Sequence, residues 1–190
     1  MTEKKVIVYY ASPGEANSDE TMSAALERAK ELGIKDIVIA STRGPTALKA
    51  MEVFKGFNVV IVPHVYGMRG PSTQEFSNEA ADKIRESGGK IVWAAHAFSG
   101  VNAAINSKFN TMYPAGIMAQ TLRLFGQGMK VAVEITAMAA NAGAIPVDRD
   151  VIAIAGSSKG ADTAVVIKPS YSHTLFDIFV REVIAKPSHA

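Results

Sequence analysis

The sequence predicts an α/β fold: a three-layer α/β/α sandwich built on an open, mostly parallel sheet with an antiparallel last strand. Three observations carry this. Apolar, β-branched runs recur at 5–10, 36–40, 58–63 and 90–95, the pattern of strands buried on both faces. Segments of helical period fill the intervals, so the strands join through right-handed crossovers and lie parallel. Two later apolar runs, 151–155 and 163–168, follow too closely for a helical crossover and are expected to be antiparallel.

The elements follow in order. After the first strand, Pro13 and Gly14 mark a turn, and Asn17 with Glu20 has the spacing of a capping box. Met22, Ala25, Leu26, Ala29 and Leu32 recur at helical spacing, and Gly33 is the expected stop. The second strand ends at Ala40, and a helix is expected from about Thr46 to Phe54. The third strand, 58–63, runs into His64. Ser72 and Glu75 have capping-box spacing ahead of the stripe Phe76, Ala80 and Ile84. The fourth strand, 90–95, runs into His96. Residues 101–112 are polar and expected to be irregular, whereas Pro114 suits the start of a helix to Phe125. Residues 129–142 read as a helix apolar nearly all round, broken by Glu134, Thr136 and Asn141. Such a helix is buried in the core or lies against another copy, so a homo-oligomer is compatible. The tail from Ser172 reads as a helix or an edge excursion ending at Pro187.

With 190 residues, 48% hydrophobic and 20% charged, the chain suits one domain over 1–190, with a helical insert at about 101–145. The absence of cysteine excludes disulfides, thiolate metal sites and thiol nucleophiles. A net charge of +2 with dispersed Lys and Arg is not the basic stripe of a nucleic-acid binder. No apolar run approaches the roughly 20 residues that span a bilayer. Residues 1–5 lead straight into a strand and do not resemble a signal peptide. A cytoplasmic protein without membrane or nucleic-acid partners is expected.

Parallel strands put their carboxyl ends along one edge, where ligands of open α/β sheets bind. Loops at 12–14, 41–46, 64–67, 96–100 and 156–160 leave that edge. Ser41, Thr42, Arg43, Gly44, Pro45 and Thr46 join a strand directly to a helix. Free N–H groups, the positive end of the helix dipole, hydroxyls and an arginine all favour an anion there. The same residues also serve as an ordinary helix cap, and the spacing is not that of a P-loop. Gly156, Ser157, Ser158, Lys159 and Gly160 form a second polar loop on that rim. His64 and His96, each just past a strand, either satisfy backbone groups or exchange protons with a ligand, which makes them the candidate catalytic residues. No carboxylates stand at ligand spacing with them, so no metal is expected. The nucleophile-elbow pattern is absent. Tyr66, Met68, Phe98, Phe109, Met112 and Tyr113 either pack the core or offer a surface to a flat ring.

Residues 36–51 resemble the C-terminal domain of pyruvate kinase. There an alanine-rich helix and a strand lead to a hydroxyl- and glycine-rich turn that binds an effector phosphate in some members. Residues 151–168 resemble the hairpin that closes the same domain, with Asp162 and Thr163 where that family has Thr and Asn. Over nearly its full length the chain is similar to a small, stand-alone, largely archaeal and functionally uncharacterised family that is pyruvate kinase C-terminal domain-like. Residues 21–33, 41–47, 64–67, 73–75, 96–100 and 131–143 carry that similarity.

The resemblance implies the sandwich without the kinase barrel, and flavin mononucleotide (FMN) as ligand. Kinase activity is not implied. On this basis Ser41 to Thr46 would hold the phosphate. His64, His96, Phe98, Ser99, Gly100, the 156–160 loop and Asp162 would surround the rest of the cofactor. The competing expectations are a non-catalytic sensor of a phosphorylated metabolite and a hydrolase using a rim histidine.

Overall fold

The computed structural model describes residue 2 and residues 4–189. Met1, Glu3 and Ala190, which fall in the expected span 1–190, lie outside the described residues. Among the described residues, seven strands form one sheet: β1 (Val8–Tyr10), β2 (Asp36–Ala40), β3 (Asn58–Val62), β4 (Lys90–Ile91), β5 (Val151–Ala155), β6 (Thr163–Lys168) and β7 (Phe179–Pro187). Their order is β1-β7-β6-β5-β2-β3-β4. β2 pairs in parallel with both β3 and β5, and β3 with β4. β6 runs antiparallel to β5 and to β7, while β1 is parallel to β7. β6 alone therefore runs against the other six.

The described residues hold six α-helices, α1 (Ser18–Leu32), α2 (Pro45–Val53), α3 (Asn78–Glu86), α4 (Gly100–Phe109), α5 (Pro114–Arg123) and α6 (Gln127–Asn141), and all but α4 contribute buried residues to the two faces of the sheet. The alternation of strand side chains sorts the core into two clusters. Ile37, Ile39, Val59, Ile61, Ile152 and Ile154 pack with Met22, Ala25 and Ala29 of α1, Ala47 and Ala50 of α2, and Ile84 of α3. Val38, Val60, Ala153, Val165 and Ile167 face the other way, against Ala132, Met138 and Ala139 of α6 and Ala119 of α5. This is the expected three-layer sandwich. Among the described residues, no helix is long and apolar enough to cross a membrane.

Several expectations are corrected. The tail is not an edge excursion. After a 3-10 segment at Ser172–Asp177 it enters the sheet between β6 and β1. That makes β1 the edge strand, so Val6 and Tyr9 lie exposed and only Tyr10 is buried. β4 is two residues long and forms the opposite edge. Residues 100–109 are helical, ending where Asn110 takes a left-handed conformation (φ 48°). α4 buries none of its residues, so it carries no apolar stripe to announce it. α6 is internal: twelve of its fifteen residues are buried. Asn17 does not cap α1 through its side chain but donates to the Ser12 carbonyl.

β7 is tied to α1 by charge as well as packing. Arg28 donates from Nε and Nη2 to the two oxygens of Glu182 (2.7 and 2.9 Å), and Lys5 pairs with the same carboxylate. The hydrogen bonds from Arg28, ahead of that from Lys5, hold the Glu182 carboxyl below its ordinary value of 4.5. A lowered carboxylate stabilises the fold above its ordinary value, and that contribution fades as pH falls through the lowered one. Glu182→Gln is expected to lower stability by about 1 kcal/mol at pH 7. The difference from wild type should shrink below about pH 4.5, as measured by urea denaturation across pH.

Candidate functional site

The carboxyl edge of β2, β3 and β5 opens into a cavity of about 730 Å³, a size that suits a small organic ligand. α6 lines its floor, and the loops after the three strands form its rim.

The loop after β2 is shaped by contact with α3. Gly44 caps α2 at φ 117°, and a Cβ there would sit 2.6 Å from the Ala80 Cβ. Both the backbone angle and the close approach require glycine. Pro45 opens the helix without an N–H to satisfy. Ser41 is buried and accepts the Ala47 N–H through Oγ (3.3 Å). The N–H of Thr46, in the first turn, has no partner within the helix, and Thr46 lines the cavity.

The loop after β3 carries a polar cluster centred on His64. His64 Nδ1 lies 2.8 Å from Glu75 Oε2, and His64 Nε2 lies 3.4 Å from Thr42 Oγ1. Gln74 Nε2 donates to the His64 carbonyl at 2.9 Å. Arg43 and Arg69 each come within 3.7 Å of Glu75 Oε1. The His64 hydrogen bond is the main cause holding the Glu75 carboxyl below its usual range, with smaller help from Arg69 and Arg43. Glu75 is thus no capping residue. α3 starts at Asn78, and Ser77, not Ser72, caps it by accepting the Ala80 N–H at 3.3 Å.

His96 sits beside His64, with ring centroids 5.6 Å apart. Its Nε2 accepts the Val65 N–H at 3.3 Å, which places its own proton on Nδ1. Burial pushes its pKa down, opposed by Glu134 and reinforced by His64 and Lys130. His96 is therefore neutral near pH 7 and ties the β4 loop to the β3 loop.

On the floor, Lys130 and Glu134 of α6 form a buried ion pair. The other carboxylate oxygen of Glu134 accepts the Phe98 N–H at 2.9 Å. A pair of charges four residues apart inside an apolar helix is the signal that could have found it: a pair buried in such surroundings needs this degree of satisfaction. Arg69, Arg123 and Gln127 also line the cavity and were not expected there.

Of the expected residues, Ser41, Thr42, Arg43, Pro45, Thr46, His64, His96, Ser99 and Gly156 to Gly160 line the cavity. Four stand elsewhere. Gly44 packs against α3, and Gly100 begins α4. Phe98 is buried in the core cluster under α6. Asp162 is fully buried, and its carboxylate is saturated by protein donors. Oδ2 accepts the N–H groups of Gly14 (2.9 Å) and Ser157 (3.1 Å), and Oδ1 accepts the Thr163 hydroxyl (2.8 Å). Asp162 therefore joins the loops after β1 and β5 rather than facing a ligand. Tyr66 packs on Trp93, while Phe109, Met112 and Tyr113 are exposed outside the cavity. Met68 alone of that expected set lines it.

Residues 19–167 match the family described as pyruvate kinase, alpha/beta domain. The match starts in α1 and stops in β6. It takes in every cavity-lining residue except Glu15 and leaves out β1 and β7.

Asp162→Asn removes a charged acceptor from two backbone N–H groups. A loss of about 1–3 kcal/mol in unfolding free energy is expected, with faster amide exchange at Ser157. Unchanged stability and exchange would show that the carboxylate is not the tie.

Proposed function

Since the chain belongs to the pyruvate kinase alpha/beta domain family, we propose that it binds a phosphorylated small molecule at the carboxyl edge of its sheet, with FMN as the leading ligand. One observation carries the reading. The cavity wall holds five cationic side chains, Arg43, Arg69, Arg123, Lys130 and Lys159, against two carboxylates, Glu15 and Glu134. Glu134 is already paired with Lys130. Net positive charge beside the N-terminus of α2 favours a dianionic phosphate.

The rest of the wall suits FMN in its chemistry. Thr42, Arg43, Thr46 and Lys159 supply donors for the phosphate. Ser99, Gln127 and Ser158 offer polar partners for a polyhydroxyl chain. Val62, Val131, Ile135 and Met138 give an apolar surface for a ring system. That surface is aliphatic, so it would cover the ring by packing rather than by aromatic stacking. Bound FMN would supply one- or two-electron transfer. The chain's own part in this reading is to bind and orient the phosphate and to keep the ring end dry.

Fluorescence titration with FMN and with riboflavin, which lacks the phosphate, tests this. FMN is expected to bind more tightly, with inorganic phosphate competing. Arg43→Ala should weaken FMN by about 1.5–3 kcal/mol and leave riboflavin unchanged. Phosphate binding without FMN binding would overturn the flavin assignment, and binding of neither would overturn the phosphate site.

A further inference from the structure

We infer that His64 is a phosphoryl acceptor, whose Nε2 takes a phosphoryl group from a small molecule carrying an activated phosphate, with Glu75 as its positioning residue. The step rests on the phosphate reading of the cavity and adds a covalent reaction to it.

An imidazole attacks only through a nitrogen that keeps its lone pair. His64 Nδ1 faces the Glu75 carboxylate at 2.8 Å, and a carboxylate can only accept. The proton is therefore held on Nδ1, and Nε2 is left with its lone pair. Its neighbour on that side is Thr42 Oγ1, at a long 3.4 Å. Both His64 and Thr42 line the cavity. Thr42 can donate its hydroxyl to the His64 Nε2 lone pair, but a hydroxyl rotates and can turn to an incoming phosphate, whereas the Nε2 lone pair of His96 is held by the fixed backbone N–H of Val65 at 3.3 Å. His173 lies in the 3-10 segment before β7, stacked on Tyr171, and is not part of the cavity wall. His189 is an exposed tail residue beyond β7.

The surroundings also suit phosphoryl transfer. Charge in such a transition state is spread over three equatorial oxygens, and catalysis rests on positioning and on nearby cations. Arg43 and Arg69 approach Glu75 from solvent, 63% and 69% exposed, and each is 3.7 Å from it. At that distance neither makes a tight hydrogen bond, so both guanidinium groups remain available to an incoming phosphate. Lys159 stands on the opposite loop. Phosphorylation turns the imidazole into a cation that keeps its Nδ1 proton, and the Glu75 carboxylate balances that charge.

With phosphoramidate as donor the bonds balance. The bond from Nε2 to phosphorus forms as the bond from phosphorus to the donor nitrogen breaks. The electron pair leaves with ammonia, which already carries its protons. The Nδ1 proton stays on His64 against Glu75. Water or an acceptor alcohol then cleaves the new bond and regenerates the imidazole.

The test is incubation of the full chain with phosphoramidate, followed by peptide mass spectrometry at neutral pH. Labelling at His64 is expected to be about tenfold or more faster than at His173 and His189, which serve as internal controls. Glu75→Gln should slow labelling of His64 by about tenfold or more. It should also remove the Nδ1–H tautomer seen in imidazole 15N NMR of wild type, since a glutamine side chain can donate to Nδ1 instead. Equal rates at the three histidines, labelling at His96 in place of His64, or a wild-type His64 protonated on Nε2 would overturn the inference. Titration calorimetry with inorganic phosphate on the same sample separates the two levels. Phosphate binding without preferential labelling rejects the phosphoryl transfer alone, whereas absence of phosphate binding rejects the site beneath it as well.

Discussion

Burial of β2 on both faces and along both edges is the constraint on which the rest of the structure depends. Ile37, Val38 and Ile39 have no exposed surface, and the strand is hydrogen-bonded to β3 on one side and β5 on the other. A strand enclosed in this way leaves its neighbours no free choice of direction. Each is fed by a crossover helix, so each runs parallel, and their carboxyl ends fall together. Helices cover both faces of the sheet, so the edge where the strands stop is where backbone groups and polar side chains reach water. The cavity lies at that edge, and one side of α6, which packs on a face of the sheet, lines it.

The rim is held in shape by buried carboxylates acting on neighbouring loops. Asp162, at the start of β6, accepts backbone N–H groups from the loops after β1 and β5. Glu134, on α6, accepts the N–H of Phe98 in the loop after β4. Each carboxylate is compensated differently. Glu134 is paired with Lys130, and Asp162 is satisfied by three protein donors. A buried charge with incomplete partners would be strongly destabilising. The extent of satisfaction marks these groups as scaffold and separates them from the exposed Arg43 and Arg69. The glycines add close approach: a Cβ at Gly156 would stand 2.6 Å from the Gly160 carbonyl oxygen, so that loop can be this tight only without one.

The two rim histidines illustrate how identical side chains acquire different chemistry. Both follow an apolar strand and both reach the cavity. The Val65 N–H occupies one, and the Glu75 carboxylate orients the other. Val65 donates to Nε2 of His96 and Glu75 accepts from Nδ1 of His64, so both rings carry their proton on Nδ1 and differ in what meets Nε2. The first histidine becomes a structural link between loops. The second keeps a basic nitrogen facing a cation-rich space.

The sequence by itself determined the layers, most of the strands and the edge where the site lies. Strands such as 36–40 and 58–62 are buried on both faces and so appear as unbroken apolar runs. α1, α2 and α3 bury one stripe each and so show helical period. The short link between β5 and β6 dictated their antiparallel pairing. These are local signals, readable from residues a few positions apart. Tertiary structure decided what depends on distant partners. β7 runs from the exposed Phe179 to the buried Ile184 and Ala185 and could sit at an edge or inside; only pairing with both β6 and β1 set its place. α4 buries nothing, so no periodicity betrays it. Ser72 and Glu75 have capping-box spacing, yet the helix starts only at Asn78 with Ser77 as its cap, and Glu75 pairs instead with His64. Asp162 and Lys159 look alike as polar loop residues, yet one is fully buried among backbone donors and the other lines the cavity. Burial and charge pairing are set by elements far apart in the chain, and local patterns carry no record of them.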